Sequence, residues 1–345
     1  MSRRRALALG AGALLAAPAI LRPARAQGRA VYVNSYGGVW ESAWRKAFFE
    51  PFTAQTGIAI KTVPGVSFAK LKAQVQTRNF EWDVVNLGDV EYGQAVLEGL
   101  LEKVDREAAK ADQLPPHMVR DYGITSYSLG TNLVYRKDKF PNGGPQSWAD
   151  FWDVKKFPGS RCFYDRSFSC LAFALLADGV PADQLYPMDV DRAFRKMSEI
   201  KPHIKVWWRE GNQSQQLIRD GEVDMMSIWN GRASELKEAG VPVELVWNGA
   251  VRSTSTWCVL KGAPNRKLAW EFIQFAVQAK PQAEFNRRLY YGPTNPAAFE
   301  FIPHDIAVVL PTYSENLAVS IREDDEWEAD RIVALEERFT QWLAS

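Results

Sequence analysis

Residues 30–65 read AVYVNSYGGVWESAWRKAFFEPFTAQTGIAIKTVPG. The apolar run Ala30–Ser35 ends in Tyr36-Gly37-Gly38, which predicts a strand broken by a turn. Trp40, Trp44, Ala47, Phe48 and Phe52 then recur at helical spacing, and Gly57 closes that helix. Residues 58–63 predict a second strand, stopped by Pro64-Gly65. The rhythm repeats: 68–78 reads as a helix, 82–87 as a strand broken at Gly88-Asp89, and 90–102 as a helix with one apolar face. Strands alternating with helices predict an α/β fold, a parallel sheet covered on both faces.

A second series of the same kind begins after about residue 130. Ser147-Trp148-Ala149-Asp150 has the shape of a capping box, with Asp in place of the usual Glu. Strands are expected at 161–165, 204–208, 223–229 and 243–247, and an extended segment at 252–260. Ser167–Ala177 is apolar all round and predicts a buried helix. Helices are also expected at 230–239, 264–279, 281–290 and 326–343. Two α/β lobes suit this pattern better than one sheet of so many strands.

Strand ends nominate the functional residues, because ligands of open α/β sheets sit beyond the carboxyl ends of the strands. The candidates are Tyr36 with Gly37-Gly38, Gly65-Val66-Ser67, Gly88-Asp89, Asp165-Arg166-Ser167, Trp208-Arg209, Trp229-Asn230-Gly231-Arg232 and Ser253-Thr254-Ser255. Each also has a plain structural reading. Gly37-Gly38 can be only a turn, Asp89 a helix cap, Arg166 a rim charge and Trp229 a core residue. Arg232 falls in the first turn of a helix, where the helix dipole disfavours a cation unless an anion is near. Asp83, inside an apolar strand, reads as structural.

The first residues carry a different message. Arg3, Arg4 and Arg5 precede an apolar stretch from Ala6 to about Leu21, and Ala24-Arg25-Ala26 has the pattern signal peptidase accepts. Ser2-Arg3-Arg4 near Leu7 further resembles a twin-arginine signal. The run is short for a membrane anchor. Export with cleavage near Ala26 is therefore expected. Removing those residues takes away five Arg and no acid, so the formal charge falls from +1 to −4. That balance argues against nucleic-acid or membrane-surface binding. Cys162, Cys170 and Cys258 allow one pair at most and read as buried thiols, with a Cys162–Cys170 bridge as the alternative. His117, His203 and His304 stand apart, and no H-E-x-x-H, G-x-S-x-G, Walker loop or paired C-x-x-C occurs, so nothing points to a metal, cofactor or nucleophile. All 13 Trp follow the leader, an excess that suits a core or an aromatic ligand cage.

Taken in order, NSYGGVWESAWRKAFFEPFTAQTGI (34–58), WDVVNLGDVEYGQAVLEGLLEKVD (82–105), SWADFW (147–152), GEVDMMSIWNGR (221–232) and YYGPTN (290–295) resemble the polyamine-type extracellular solute-binding proteins of ABC importers. The resemblance implies a two-lobed type II periplasmic-binding fold with a cleft between lobes, joined by crossing segments at 128–134 and 253–260. On that reading one lobe comprises 27–130 plus about 256–305, the other about 131–255 plus about 306–345. It implies a monomer that meets a membrane permease and its ATPase, binds a small solute and catalyses nothing. Polyamine receptors carry acids about where Arg166, Ser169 and Ser255 stand here, and a Trp about where Ser253 stands. Trp229 and Tyr291 match as wall aromatics, and Trp229-Asn230-Gly231-Arg232 resembles relatives whose Arg pairs with a carboxylate. The expected ligand is therefore carboxylate-bearing or zwitterionic, bound by Tyr36, Asp89, Arg166, Trp229, Arg232, Ser253, Ser255 and Tyr291. Alternatives are a true spermidine/putrescine receptor, an iron(III) receptor using Tyr290 and Tyr291, a chemotaxis-only receptor and an exported hydrolase.

Overall fold

A computed structural model describes residues 29–65 and 67–345. The expected export segment and Val66 lie outside the described residues. In chain order the strands are β1 (Ala30–Ser35), β2 (Ala59–Pro64), β3 (Val84–Gly88), β4 (Val119–Arg120), β5 (Gly123–Arg136), β6 (Arg161–Tyr164), β7 (Ile204–Trp208), β8 (Met225–Trp229), β9 (Val243–Val259), β10 (Gly292–Pro293) and β11 (Ile321–Arg322). The helices of the first half are α1 (Gly38–Trp44), α2 (Glu50–Thr56), α3 (Phe68–Thr77), α4 (Asp89–Leu97), α5 (Trp148–Trp152) and α6 (Ser167–Ala177). Those of the second half are α7 (Val190–Ile200), α8 (Gly211–Arg219), α9 (Asn230–Glu238), α10 (Arg266–Ala276), α11 (Ala279–Leu289), α12 (His304–Ala307), α13 (Ser314–Val319), α14 (Asp325–Ala329) and α15 (Ile332–Ala344).

The hydrogen-bonded path runs β2-β1-β3-β9-β5-β8-β6-β7 as one continuous sheet. Continuity comes from β5 and β9, which pair antiparallel along most of their length. At one end β3 bonds to β9 at Ser255–Val259, and at the other β8 bonds to β5 at 131–135. The two α/β series are thus stitched by strands that belong to both. Apolar side chains nevertheless form separate clusters. One gathers Val31, Val33, Trp44, Phe48, Phe52, Trp257, Phe272 and Phe285, and another gathers Trp148, Phe151, Phe163, Phe173, Phe194 and Phe339. Residues 306–319, assigned to the second lobe by the resemblance, include Ala307 and Leu310 packed with Ala283, Ala298 and Ile302, and the second cluster resumes only at Ile321.

Several local departures have clear causes. Residues 243–247 and 252–260 were expected as separate pieces, with a break over 248–251. It is instead an irregularity within the single strand β9, where pairing jumps from Leu133–Val246 to Thr131–Val251. Gly249 supplies the positive φ of 71°, and its carbonyl accepts the Trp148 indole N–H at 2.8 Å. Pro281 was expected to open a helix, yet α11 begins two residues earlier, since Pro is tolerated in a first turn whose N–H groups have no helical partner. The amphipathic stretch 326–343 is broken between α14 and α15. Ser147 caps α5 through the Asp150 amide, and Asp83 is structural, its carboxylate accepting from the Tyr32 and Asn265 amides. All three cysteines are free and buried, and burial pushes the Cys162 thiol up to about 12. Among the described residues no helix is long and apolar enough to cross a membrane.

Candidate functional site

Beyond the ends of β1, β3 and β8, and against the crossing strands, lies a cavity of about 490 Å³. Aromatic rings form its walls. Tyr36 meets Trp40 at 5.7 Å and Trp44 at 5.6 Å, and its hydroxyl donates to the Asn86 carbonyl at 3.0 Å. Trp40 stacks on Tyr291 at 5.2 Å with only 18° between the planes. On the other side Trp229 stands edge-on to Tyr164 at 5.5 Å and to Trp208 at 5.2 Å. Ser253 and Ser255 come from β9, where alternate residues face one way. Five of the expected residues, Tyr36, Trp229, Ser253, Ser255 and Tyr291, therefore share one cavity.

The cavity floor is polar and almost fully committed. Asn34 Oδ1 accepts the Asn86 amide at 3.0 Å, Asn86 Nδ2 donates to Ser126 Oγ, and the Tyr127 hydroxyl donates to Asn86 Oδ1. Asn34 is buried and its Nδ2 has no partner among the described residues, which leaves its two N–H donors for an acceptor atom in the cavity. Sequence reading missed Asn34, because an Asn inside an apolar strand looks like a packing residue.

An adjoining cavity of about 770 Å³ is lined by Gly88, Asp89, Glu91, Arg166, Ser253 and residues of α15, and shares Gly88, Glu91 and Ser253 with the first. Glu91 is the only charged residue lining the aromatic cavity, and Arg166 the only cation lining its neighbour, among the described residues. Arg166 is exposed and lies 6.0 Å over the Tyr164 ring, its guanidinium donating to the Asp165 carbonyl at 3.3 Å. Cleft walls surround Glu91 while solvent still reaches it through the mouth. Desolvation pushes its carboxyl up, the Asp89 charge adds to this, and Arg166 opposes it. Glu91 also escaped the sequence reading, which stopped at Gly88-Asp89.

Two expected residues are occupied elsewhere. Asp89 does not cap α4, whose N-cap is Gly88. Its carboxylate takes the Arg120 guanidinium at 2.7 Å and the Thr254 amide at 2.6 Å, while Arg120 also pairs with Asp325 and covers the Tyr92 ring at 3.7 Å. Arg232 lines neither cavity. It packs on Gly211, where a Cβ would come within 2.9 Å of its Nε, and its Nη1 reaches Gln215 at 3.3 Å and Glu235 at 3.4 Å. The anion that a first-turn cation asks for is thus supplied by its own helix. Gly37 and Gly38 form a left-handed turn, Arg209 pairs with Asp165, and Ser169 is buried with its hydroxyl unpartnered among the described residues. Tyr290 takes a positive φ of 57°, so the two adjacent phenols diverge: Tyr291 enters the cleft, and Tyr290 joins the Ala298–Leu310 cluster. No cluster of His, Cys, Asp or Glu fit for a metal occurs among the described residues.

The remainder of the motif that ends in Arg232 is explained by packing. Asn230 accepts the Gly130 amide at 3.0 Å and donates to the Tyr290 carbonyl, tying β5 to the turn that presents Tyr291. A Cβ on Gly231 would lie 2.5 Å from the Leu289 carbonyl oxygen and 3.0 Å from the Tyr291 ring. Gly231→Ala is expected to force that turn away, with a loss of about 1–3 kcal/mol from overpacking and a displaced Tyr291. Urea unfolding followed by tryptophan emission reads the loss, and unchanged stability would show that the turn yields freely.

Ligand cleft, crossing strands and paired α/β cores together define the type II periplasmic-binding architecture. Residues 47–309 match the family described as bacterial extracellular solute-binding protein, and the chain belongs to that family. It is 36% identical over 330 residues to the gamma-aminobutyric acid-binding protein of Pseudomonas aeruginosa, covering 93% of each chain. Identity to the spermidine/putrescine-binding periplasmic protein of Escherichia coli is 22% over 302 residues, 84% of this chain and 85% of the relative. Among solved structures, an ABC transporter substrate-binding protein from Bradyrhizobium japonicum superposes with a TM-score of 0.87 at 37% identity, covering 91% of this chain and 99% of that one. A GABA receptor superposes with a TM-score of 0.86 at 36% identity, covering 92% and 98%. The protein is a substrate-binding receptor for a small polar solute that serves an ABC transporter, in a family of receptors rather than enzymes.

Proposed function

We propose that this receptor binds a zwitterionic amino acid whose amine and carboxylate are separated by a short aliphatic chain, of the GABA type. The observation that carries the reading is the pair of opposite charges, Glu91 and Arg166, at the junction of the aromatic cavity and its neighbour. The aliphatic chain packs on Tyr36, Trp229 and Tyr291, while Ser253, Ser255 and Asn34 Nδ2 supply hydrogen bonds. Glu91 takes the ammonium and Arg166 the carboxylate, whose planar oxygens suit a guanidinium fork. Asp89 and Arg232 act at one remove, by fixing α4 and α9. The name of the 36%-identical Pseudomonas relative supports the same ligand class.

The rest of the reading follows from the leader and the fold. The chain is exported to the periplasm with cleavage near Ala26, by the twin-arginine route, and acts as a monomer. Its two cores close on the solute by bending the crossing strands, and the closed form docks on an inner-membrane permease driven by an ATPase. A diamine ligand is the second reading, favoured by Asp89, Glu91, Glu323, Glu336 and Glu337 around the single Arg166. Asp89 and Glu336 are committed, however, the latter accepting from the Ser167 amide and hydroxyl at 2.7 Å each.

Titration calorimetry separates the two. GABA is expected to bind wild type, and Arg166→Ala or Glu91→Gln to weaken it about 10–150-fold, the worth of a hydrogen bond to a charged group. Tight putrescine binding that Arg166→Ala leaves unchanged would overturn the amino-acid reading in favour of the diamine.

A further inference from the structure

Strand alternation that turns Ser253 and Ser255 toward the cleft turns Arg252 and Thr254 to the opposite face. There a separate cavity of about 670 Å³ is lined by Arg252, Arg322, His117, Thr125, Thr294 and Thr312, among others, with no Asp or Glu among the described residues lining it. The parallel pairing of β11 with β9 places Arg322 directly opposite Arg252. Like charges side by side on adjacent strands are unfavourable without a counter-charge. None is at hand. Arg252 Nε donates to Ser320 Oγ at 2.6 Å, and the ion pair of Arg322, with Asp325, is long at 3.9 Å. Burial and the neighbouring Arg322 both push Arg252 below the usual guanidinium value. Thr125 is only 5% exposed, and its Oγ1, like that of Thr312, has no partner among the described residues. Two cations and two unpartnered hydroxyls thus line one acid-free cavity, which is the chemistry an oxyanion asks for.

We propose that this rear cavity is a second binding site, for an oxyanion that bridges Arg252 and Arg322 and accepts from the Thr125 and Thr312 hydroxyls. Its occupant is either inorganic phosphate or a carboxylate-bearing solute, which share that chemistry. The site is independent of the amino-acid reading of the front cleft, because it lies on the other face of the same strands.

Thermal unfolding of the purified protein tests it, in 10 mM sodium phosphate, in 10 mM sodium citrate, and in sodium chloride at matched ionic strength. Phosphate or citrate is expected to raise the melting temperature by about 2–4 °C over chloride, the shift of a site filled roughly tenfold above its Kd. A rise with phosphate alone identifies the inorganic ion, and a rise with citrate the carboxylate class. Arg252→Gln/Arg322→Gln should abolish the rise, and Arg322→Gln alone, at an exposed side chain, should reduce it even if the double variant folds poorly. Trp229→Ala, on the front wall, should keep it. No rise in wild type, a rise undiminished in both Arg variants, or its loss in Trp229→Ala would each overturn the site.

Discussion

Arg120→Ala is expected to destabilise the protein by about 3–5 kcal/mol, the cost of removing one partner from a buried ion pair. The Asp89 side chain is fully buried and that of Asp325 is 10% exposed, and both face this single guanidinium, itself 16% exposed. Alanine also removes the cation over the Tyr92 ring. Burial already raises the Asp89 carboxyl, and Arg120 is the largest influence holding it down. Without that charge the folded-state pKa rises further above the unfolded one. The deficit should therefore be greatest at neutral pH and shrink as the pH falls toward the unfolded carboxylate value. Adding Asp89→Asn should recover part of the loss. Urea unfolding at pH 5 and pH 7.5 measures this, and a deficit independent of pH would locate the damage in packing alone.

Glu328→Gln should act in the opposite direction. Glu328 is completely buried, accepts the Tyr186 hydroxyl through Oε1, and has no partner for Oε2 among the described residues. Burial, reinforced by Asp89 and Asp324 and opposed by Tyr186, raises its carboxyl from 4.5 to about 7, and burial beside Glu328 holds Glu323 well above its usual range too. Below the unfolded value both states hold the proton and nothing is lost. Between that value and about 7 the unfolded chain releases the proton first, so stability falls as pH rises, and the penalty is complete above 7. Glutamine removes the charge while keeping an acceptor for Tyr186. The variant is expected to match wild type near pH 4 and to exceed it by about 2–3 kcal/mol at pH 8. Equal gains at both pH values would mean that packing, not ionisation, is responsible.

The alternation of strands and helices was legible because each element is local: Ala30–Ser35, Phe68–Thr77 and Ser167–Ala177 announce themselves by period and punctuation. The pieces 243–247 and 252–260 are one strand, because cross-strand pairing to β5 carries through the irregularity between them, which local pattern does not show. Strand-end reasoning nominated residues of which five line one cavity, but it did not rank the side chains there. Asp89 and Arg232 were nominated as ligand contacts, yet Asp89 is held by Arg120 and Thr254, distant along the chain, and Arg232 by Gln215 and by Glu235 three residues on. Glu91 was hidden by standing two residues past the nominated strand end. Arg166 lines the adjoining cavity, and its guanidinium donates to a backbone carbonyl.

The short strand β11 has a mechanical meaning. It lies along β9, and the helix that follows it, α14, packs against α4 so closely that a Cβ on Gly93 would lie 2.4 Å from the Ala329 methyl. Three chain passages, rather than two, therefore run side by side between the cores. A joint of three bonded passages laid side by side bends about a line and resists torsion, as a door on a long hinge does. In the proposed closure the moving core has one easy rotation. Solutes of different length would then change how far the cleft shuts more than the direction in which it shuts, and the importer would meet the same outer face each time.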